Sequence, residues 1–193
     1  MGNFDVAQKF TQKWEGSLSD DAADKGGLTK YGVSIAFLTD FARDITNQKF
    51  LRDLGVPLPV TRDTIRHLDI AQACAIFRRE FWDSLHLDDL PVQMGALLYD
   101  AAVNSGRSRS VKLAQRGYNA CVGHGLPLAV DGKLGPLSCA ALKANNTKTV
   151  RQSIITVREN FYKEIVRSNP SQDVFLKGWL NRCKDLRTYV EGI

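Results

Sequence analysis

This sequence predicts a mainly α fold with one small β element, and three observations predict it. Apolar residues recur at three- and four-residue steps along most of the chain. Residues suited to capping a helix stand just before several of these runs. One stretch, residues 16–33, breaks into a polar, glycine-rich pattern that leaves room for a short hairpin near Thr29–Val33.

Taken in order, Phe4, Ala7, Phe10 and Trp14 fall at helical spacing, with Asn3 as N-cap. Glu15 stands at the end of that helix, where Gly16 lets the chain turn away. Ser34 caps a second helix with Ile35, Leu38, Phe41 and Ile45 on one face. Residues 52–60 are a connector broken by Pro57 and Pro59. Asp69 caps a third helix lined by Ile70, Cys74, Phe77 and Phe81. Pro91 suits the first turn of a fourth, residues 91–104, which is apolar on several sides and therefore central. A fifth covers 108–121, and residues 123–135 form a loop with a turn at Asp131-Gly132. Short and long helices follow over 136–144 and 147–167, Asn169-Pro170 stops the second, and the last helix covers 173–190. There is no internal repeat, low-complexity stretch, dinucleotide fingerprint or phosphate loop.

The 193 residues, 44% hydrophobic and 24% charged, suit one domain or one domain with a small appendix, with core enough to need no staples. No run of about 18 apolar residues exists, so no membrane span is expected. The first residues lack the pattern of a secretory leader. Val6 also stands where a myristoylation signal wants Ser or Thr. Cys74, Cys121, Cys139 and Cys183 are scattered, and His67, His86 and His124 do not cluster with them. That pattern predicts buried free thiols, with no zinc site and no redox dithiol. A net charge of +5 implies attraction to a polyanion: nucleic acid, an anionic membrane or an anionic bacterial envelope. Charge does not choose among them, and no nucleic-acid motif supports the first.

The chemistry concentrates in Trp14–Val33. Glu15 sits beside Trp14, Asp20, Asp21 and Asp24 follow, and then Gly26-Gly27-Leu28-Thr29. Cleavage of a glycosidic bond needs a protonated acid at the leaving oxygen, and a carboxylate that activates water or bonds to the sugar. A glutamate keeps its proton near neutral pH only when it loses solvent or feels a like charge. Trp14 and a helix end at a cleft would supply the first; the aspartates would supply the second. Asp24 lies nine positions after Glu15 and Thr29 five after Asp24, so a loop can bring an aspartate and a water-holding hydroxyl opposite Glu15. A solvated acidic loop remains the plainer alternative. A calcium loop is disfavoured by the lack of regular alternation and of a terminal Glu.

The segment resembles the signature of the glycoside hydrolase 108 family, the phage-type N-acetylmuramidases. Their pattern is Glu-Gly-Gly and an aromatic, then Asp-x-Gly-Gly-x-Thr, then an aromatic and Gly-Ile or Gly-Val. Here it reads Glu15-Gly16-Ser17, Asp24-Lys25-Gly26-Gly27-Leu28-Thr29 and Tyr31-Gly32-Val33. Further resemblances follow in order at Ala73–Trp82, Leu97–Gly106, Val130–Leu142 and Phe175–Arg182. The third of these is similar to the Asp-Gly-x-x-Gly-Pro-x-Thr turn of the family's C-terminal peptidoglycan-binding-like region. Ser17, Leu18 and Ser138 depart from the pattern.

The resemblance implies a lysozyme-like helical domain whose small β element lies near the active-site loop. It implies a catalytic region over 1–107 and a helical peptidoglycan-binding-like region over 108–193. Glu15 is then the general acid, with Asp24 and Thr29 positioning water, while Asp20 and Asp21 fall back to loop structure. The substrate is the β-1,4 bond between N-acetylmuramic acid and N-acetylglucosamine in peptidoglycan, cleaved without a cofactor. The expected bearer is a monomeric phage or prophage endolysin, made in the cytoplasm and released to the wall through a holin or secretion system. A non-catalytic wall-binding or secretion-associated module, a basic nucleic-acid binder and a chitinase-like variant are the rivals.

Outside the motif, Asp100 and Asn104 share one face of the central helix. Asn104 either hydrogen-bonds a substrate N-acetyl group or ends the helix, whereas Asp100 reads as structural. Tyr31 either stacks on a sugar ring or joins the core; Trp82 and Trp179 read as core. Lys163, Arg167, Lys177, Arg182, Lys184 and Arg187 form either a solvated helix face or a basic surface that steers the protein to an anionic wall.

Overall fold

Local capping chemistry sets most of the helix starts. In the computed structural model, residues 2–15, 18–19, 27–122 and 126–193 are described, with 18–19 as backbone only. Helix α1 spans Asn3–Trp14. Asn3 is already helical, so the expected cap moves to Gly2, whose N–H donates to Asp5 Oδ2 at 2.9 Å. Strands β1 (Leu18–Ser19), β2 (Thr29–Lys30) and β3 (Val33–Ser34) form an antiparallel sheet in that order. The expected mainly α class with one small β element is the class observed, and the β element holds part of the motif.

The single helix expected from Ser34 to Ile45 is two. Ser34 caps α2 (Ile35–Phe41) by accepting from Phe37 N–H at 3.1 Å, as expected. Asp44 then accepts from Thr46 N–H at 2.7 Å and starts α3 (Ile45–Asp53), which leaves Ile45 70% exposed. A helix that sequence reading passed over, α4 (Arg62–His67), begins with a reciprocal capping box between Thr61 and Thr64. Asp69 does cap α5 (Ile70–Phe77), through the same kind of box with Gln72. The chain continues from α5 as a π-helical turn over Arg78–Trp82. Phe77 and Phe81, on either side of the start of that turn, are buried, whereas Ile70, the first residue of α5, is 44% exposed.

Helices α6 (Val92–Ser105), α7 (Arg107–Asn119), α8 (Pro136–Ala144), α9 (Lys148–Ser168) and α10 (Asp173–Tyr189) complete the chain. Residues 94–102 of α6 are buried without a break, which makes it the central helix that its apolar pattern predicts. Among the described residues all four cysteines are free, Cys183 buried and the others half-buried.

The chain divides into two compact units, Met1–Thr11 with Arg79–Ile193, and Gln12–Arg78. In the first, α6, α7, α9 and α10 pack in succession. Phe4, Trp82 and Tyr99 meet edge to face there, with centroids 5.6–5.8 Å apart. Trp82 is fully buried, as expected; Trp179 is half-buried and stacks between Tyr162 and Phe175. In the second unit, Phe37 meets Phe41 and Phe77, and Phe41 meets Phe50.

Candidate active site

The two ends of the Trp14–Val33 motif are folded against each other. Pairing of Thr29 with Ser34 and of Lys30 with Val33 leaves Tyr31 and Gly32 as a two-residue turn. Their φ angles, 51° and 81°, are both positive, the sign pattern of a type I′ hairpin. The β2–β3 hairpin is thus the one that sequence spacing expects near Thr29–Val33. Leu28 and Val33 anchor it in the core, and Ile35 N–H donates to Leu28 C=O at 2.9 Å.

Gly32 is required here for two reasons. Its φ strains any L side chain. A Cβ at this position would also stand 2.7 Å from Glu15 Oε2, 2.9 Å from Glu15 Cβ and 3.0 Å from Phe77 Cζ. The hairpin turn therefore packs directly on the Glu15 side chain, and the missing Cβ is what lets it approach. Glu15 itself is half-buried at the end of α1. Trp14 beside it is half-buried too, with an indole N–H that is buried and has no hydrogen-bond partner among the described residues.

Thr29, in the central strand, is half-buried and donates its hydroxyl to Gly27 C=O at 3.0 Å. Its oxygen keeps lone pairs to accept a further hydrogen bond. Tyr31 is half-buried rather than part of the core, and Lys30 Nζ lies 5.3 Å from its ring centroid. Lys30 Nζ also donates to Arg66 C=O at 2.6 Å, which ties the hairpin to the end of α4. Asp24, the second expected carboxylate, lies outside the described residues, as do Asp20, Asp21 and Ser17.

Gly32→Ala tests the close approach, with Gly55→Ala as its control. Gly55 has nearly the same φ, 75°, but a Cβ there meets nothing closer than Gln72 Nε2 at 3.9 Å. Each variant is expected to lose about 1–2 kcal/mol of stability to left-handed strain. Only Gly32→Ala is expected to lose turnover when assayed well below both melting temperatures, since only there must Glu15 move. Equal turnover in the two variants would show that the contact is passive.

Asn104 belongs to the other unit. It lies in the last turn of α6, exposed, and its Oδ1 accepts from Tyr162 Oη at 2.5 Å and from Ser105 Oγ at 3.1 Å. With the carbonyl so occupied, its NH₂ group remains as a donor. Asp100, one turn earlier, is fully buried and structural, as expected. It accepts from Thr11 Oγ1, from Arg158 Nη1 at 2.6 Å, and from Arg182 Nη2 at 2.7 Å. Burial alone would raise its pKa, but the Arg158 and Arg182 charges and their hydrogen bonds outweigh burial and hold it below the usual value. Arg158 also donates to Tyr162 Oη at 2.7 Å, so Asp100, Arg158, Tyr162 and Asn104 form one chain of bonds.

Two sequence expectations change here. Arg182 leaves the steering set, because it is 6% exposed and committed to Asp100. Arg187 pairs with Glu159 at 3.0 Å and exposed Arg167 with Glu164, and Lys163, Lys177 and Lys184 are exposed. Sequence reading missed Gln115, which is buried and holds the Asp131-Gly132 turn. Its Nε2 donates to Asp131 Oδ1, Lys133 C=O and Ser138 Oγ, and its Oε1 accepts from Gly132 N–H. Ser138 therefore keeps the hydroxyl function of the threonine that the resemblance leads one to expect. Among the described residues no cluster of His, Cys, Asp or Glu is suited to a metal.

Comparison with curated proteins finds no match. Among solved structures, Brucella abortus SagA is similar: it is 22% identical, with a TM-score of 0.76 over 98% of this chain and 94% of SagA. That likeness establishes a shared fold. The family model for "Predicted Peptidoglycan domain" matches residues 109–184, and that for "Glycosyl hydrolase 108" matches residues 8–106. With the latter match covering more than half of the sequence, the chain is a glycoside hydrolase of peptidoglycan and belongs to the glycosyl hydrolase 108 family.

Proposed function

We propose that this hydrolase is an N-acetylmuramidase, cutting the β-1,4 bond between N-acetylmuramic acid and N-acetylglucosamine. The observation that carries the reading is the seating of Glu15 under the Tyr31–Gly32 turn, which fixes the carboxyl at the end of a helix beside Trp14. In this scheme Glu15 gives its proton to the glycosidic oxygen as the sugar C1–O bond breaks, and water supplies the hydroxyl that replaces it. Asp24 and Thr29 position that water, Thr29 through the lone pairs its bond to Gly27 leaves open. Tyr31 offers its ring face to a sugar, and Asn104 its NH₂ group to an N-acetyl oxygen. The catalytic region is 1–107, and 108–193 holds peptidoglycan for it.

The endolysin role, a monomeric state and release to the wall through a holin or secretion system belong to the same proposal. The polymer lies outside the cytoplasmic membrane. Among the described residues no helix is long and apolar enough to cross one. Mass spectrometry of digested sacculi tests the bond assignment. Products with reducing-end N-acetylmuramic acid are expected. Reducing-end N-acetylglucosamine would make the enzyme a glucosaminidase, and sacculi bound without release of fragments would make it a binding module.

A further inference from the structure

An open cavity of about 590 Å³ in the first unit is lined by Arg107, Arg109 and Lys112, by the hydroxyl-bearing Ser84, Ser105 and Ser108, and by no carboxylate. We infer that it binds a carboxylate of the peptide stem of peptidoglycan, a contact separate from the sugar-cleaving residues. The inference rests on peptidoglycan being the polymer acted on.

The lining cations are not consumed by the fold. Lys112 and Arg109 make no ion pair among the described residues, and Arg109 instead lies with its guanidinium 4.7 Å from the Phe161 ring centroid. Arg107 shares its charge with Glu80, 3.2 Å away. Two cations without a carboxylate partner and three hydroxyl-bearing residues thus line one cavity beside one compensated charge, and that excess favours an anion of carboxylate geometry. The start of α7 adds to it: Gly106 caps the helix without a side chain, and no acidic residue stands in its first turn. The volume falls in the range of small-ligand sites and suits one or two amino-acid residues.

Position along the chain selects peptidoglycan among anionic ligands. Ser84, Leu85, Ser105 and Gly106 fall in the glycosyl hydrolase match, and Arg109, Lys112 and Gly132 in the peptidoglycan-domain match. A ligand seated here touches both parts of a chain whose substrate carries its anionic charge as carboxylates on short peptides.

The test is calorimetric titration of the full chain with a stem tripeptide bearing free carboxylates, with its amidated form and with inorganic phosphate. The tripeptide is expected to bind and the amide not. Lys112→Gln and Arg109→Gln are each expected to weaken binding about tenfold, the loss of one charge-assisted hydrogen bond. Melting curves of both variants confirm folding. Cleavage of peptide-free glycan strands should be unchanged in either. Equal binding of tripeptide and amide, or wild-type affinity in both variants, overturns the inference. So does tighter binding of phosphate, which points to a phosphate-bearing polymer. Because binding is read without hydrolysis, failure here leaves the muramidase reading standing, and failure of that reading shows only in the sacculus products.

Discussion

Glu15→Gln is expected to lower turnover on peptidoglycan by about a thousandfold, the middle of the range for removal of a general acid, while the protein still folds and still sediments with sacculi. The amide has nearly the volume of the carboxyl, so it fills the space beneath Gly32, where Oε2 sits 2.7 Å from a would-be Cβ. The hairpin therefore has no reason to move. What the amide lacks is an acidic proton to hand to the leaving oxygen. Glu15→Asp separates position from chemistry: it keeps the acid but withdraws it by one methylene, and should restore only a small part of the rate. Wild-type clearing by Glu15→Gln would remove Glu15 from the acid role. Equal inactivity of wild type and variant, with binding intact, would favour the non-catalytic module.

Much of this site is legible in the amino-acid sequence because its determinants are local. A two-residue turn with positive φ at both positions wants a glycine, and Gly32 supplies one between Lys30 and Val33. Caps are local too: Ser34, Asp69 and Thr147 all accept from backbone N–H groups within three residues. The same reasoning had the means to find Asp44 and Thr61. Ile45 continued the apolar step from Phe41, and that periodicity masked the Asp44 cap, although Ile45 itself is exposed. At Thr61 the box is closed by another threonine rather than by Glu or Gln, a weaker signature.

The rest was illegible because its partners are far apart in sequence. The Phe175–Arg182 resemblance marks Arg182 as part of a motif but does not name its partner, Asp100, 82 residues away, which neither Lys177 nor Lys184 reaches. Arg158 lies 58 residues from the same carboxylate. Gln115 reaches the Asp131–Ser138 turn across 16–23 residues, and a buried glutamine on a basic helix carries no pattern of its own. The close seating of Gly32 on Glu15 is of the same kind. The motif names both residues, but only the fold shows that the glycine makes room for the acid.

Asp100→Asn is the substitution expected to cost the most stability. Asp100 is 0% exposed and faces Arg158, 2% exposed, and Arg182, 6% exposed. Arg158 already has one buried NH₂ group with no acceptor among the described residues. Removing the carboxylate leaves two buried guanidinium charges without a counter-charge, a change that costs about 3–5 kcal/mol in comparable sites. At about 2–4 °C per kcal/mol for a chain of this size, melting should fall by roughly 10 °C. Replacing all three groups together, Asp100→Leu with Arg158→Met and Arg182→Leu, should recover most of that loss, because it removes the buried charges instead of orphaning them. The pH dependence has a definite sign. The folded carboxyl titrates below its ordinary 3.8, so its contribution is complete above that pH and is lost as pH falls through the folded value. The gap in stability between wild type and Asp100→Asn should therefore be constant from neutrality down to about pH 4 and close below it. A variant that melts like wild type at pH 7, or a gap that persists unchanged to pH 2, would mean that the buried network does not hold α6, α9 and α10 together. In that case Tyr162 and Asn104, which hang from Arg158, would have to owe their positions to packing alone.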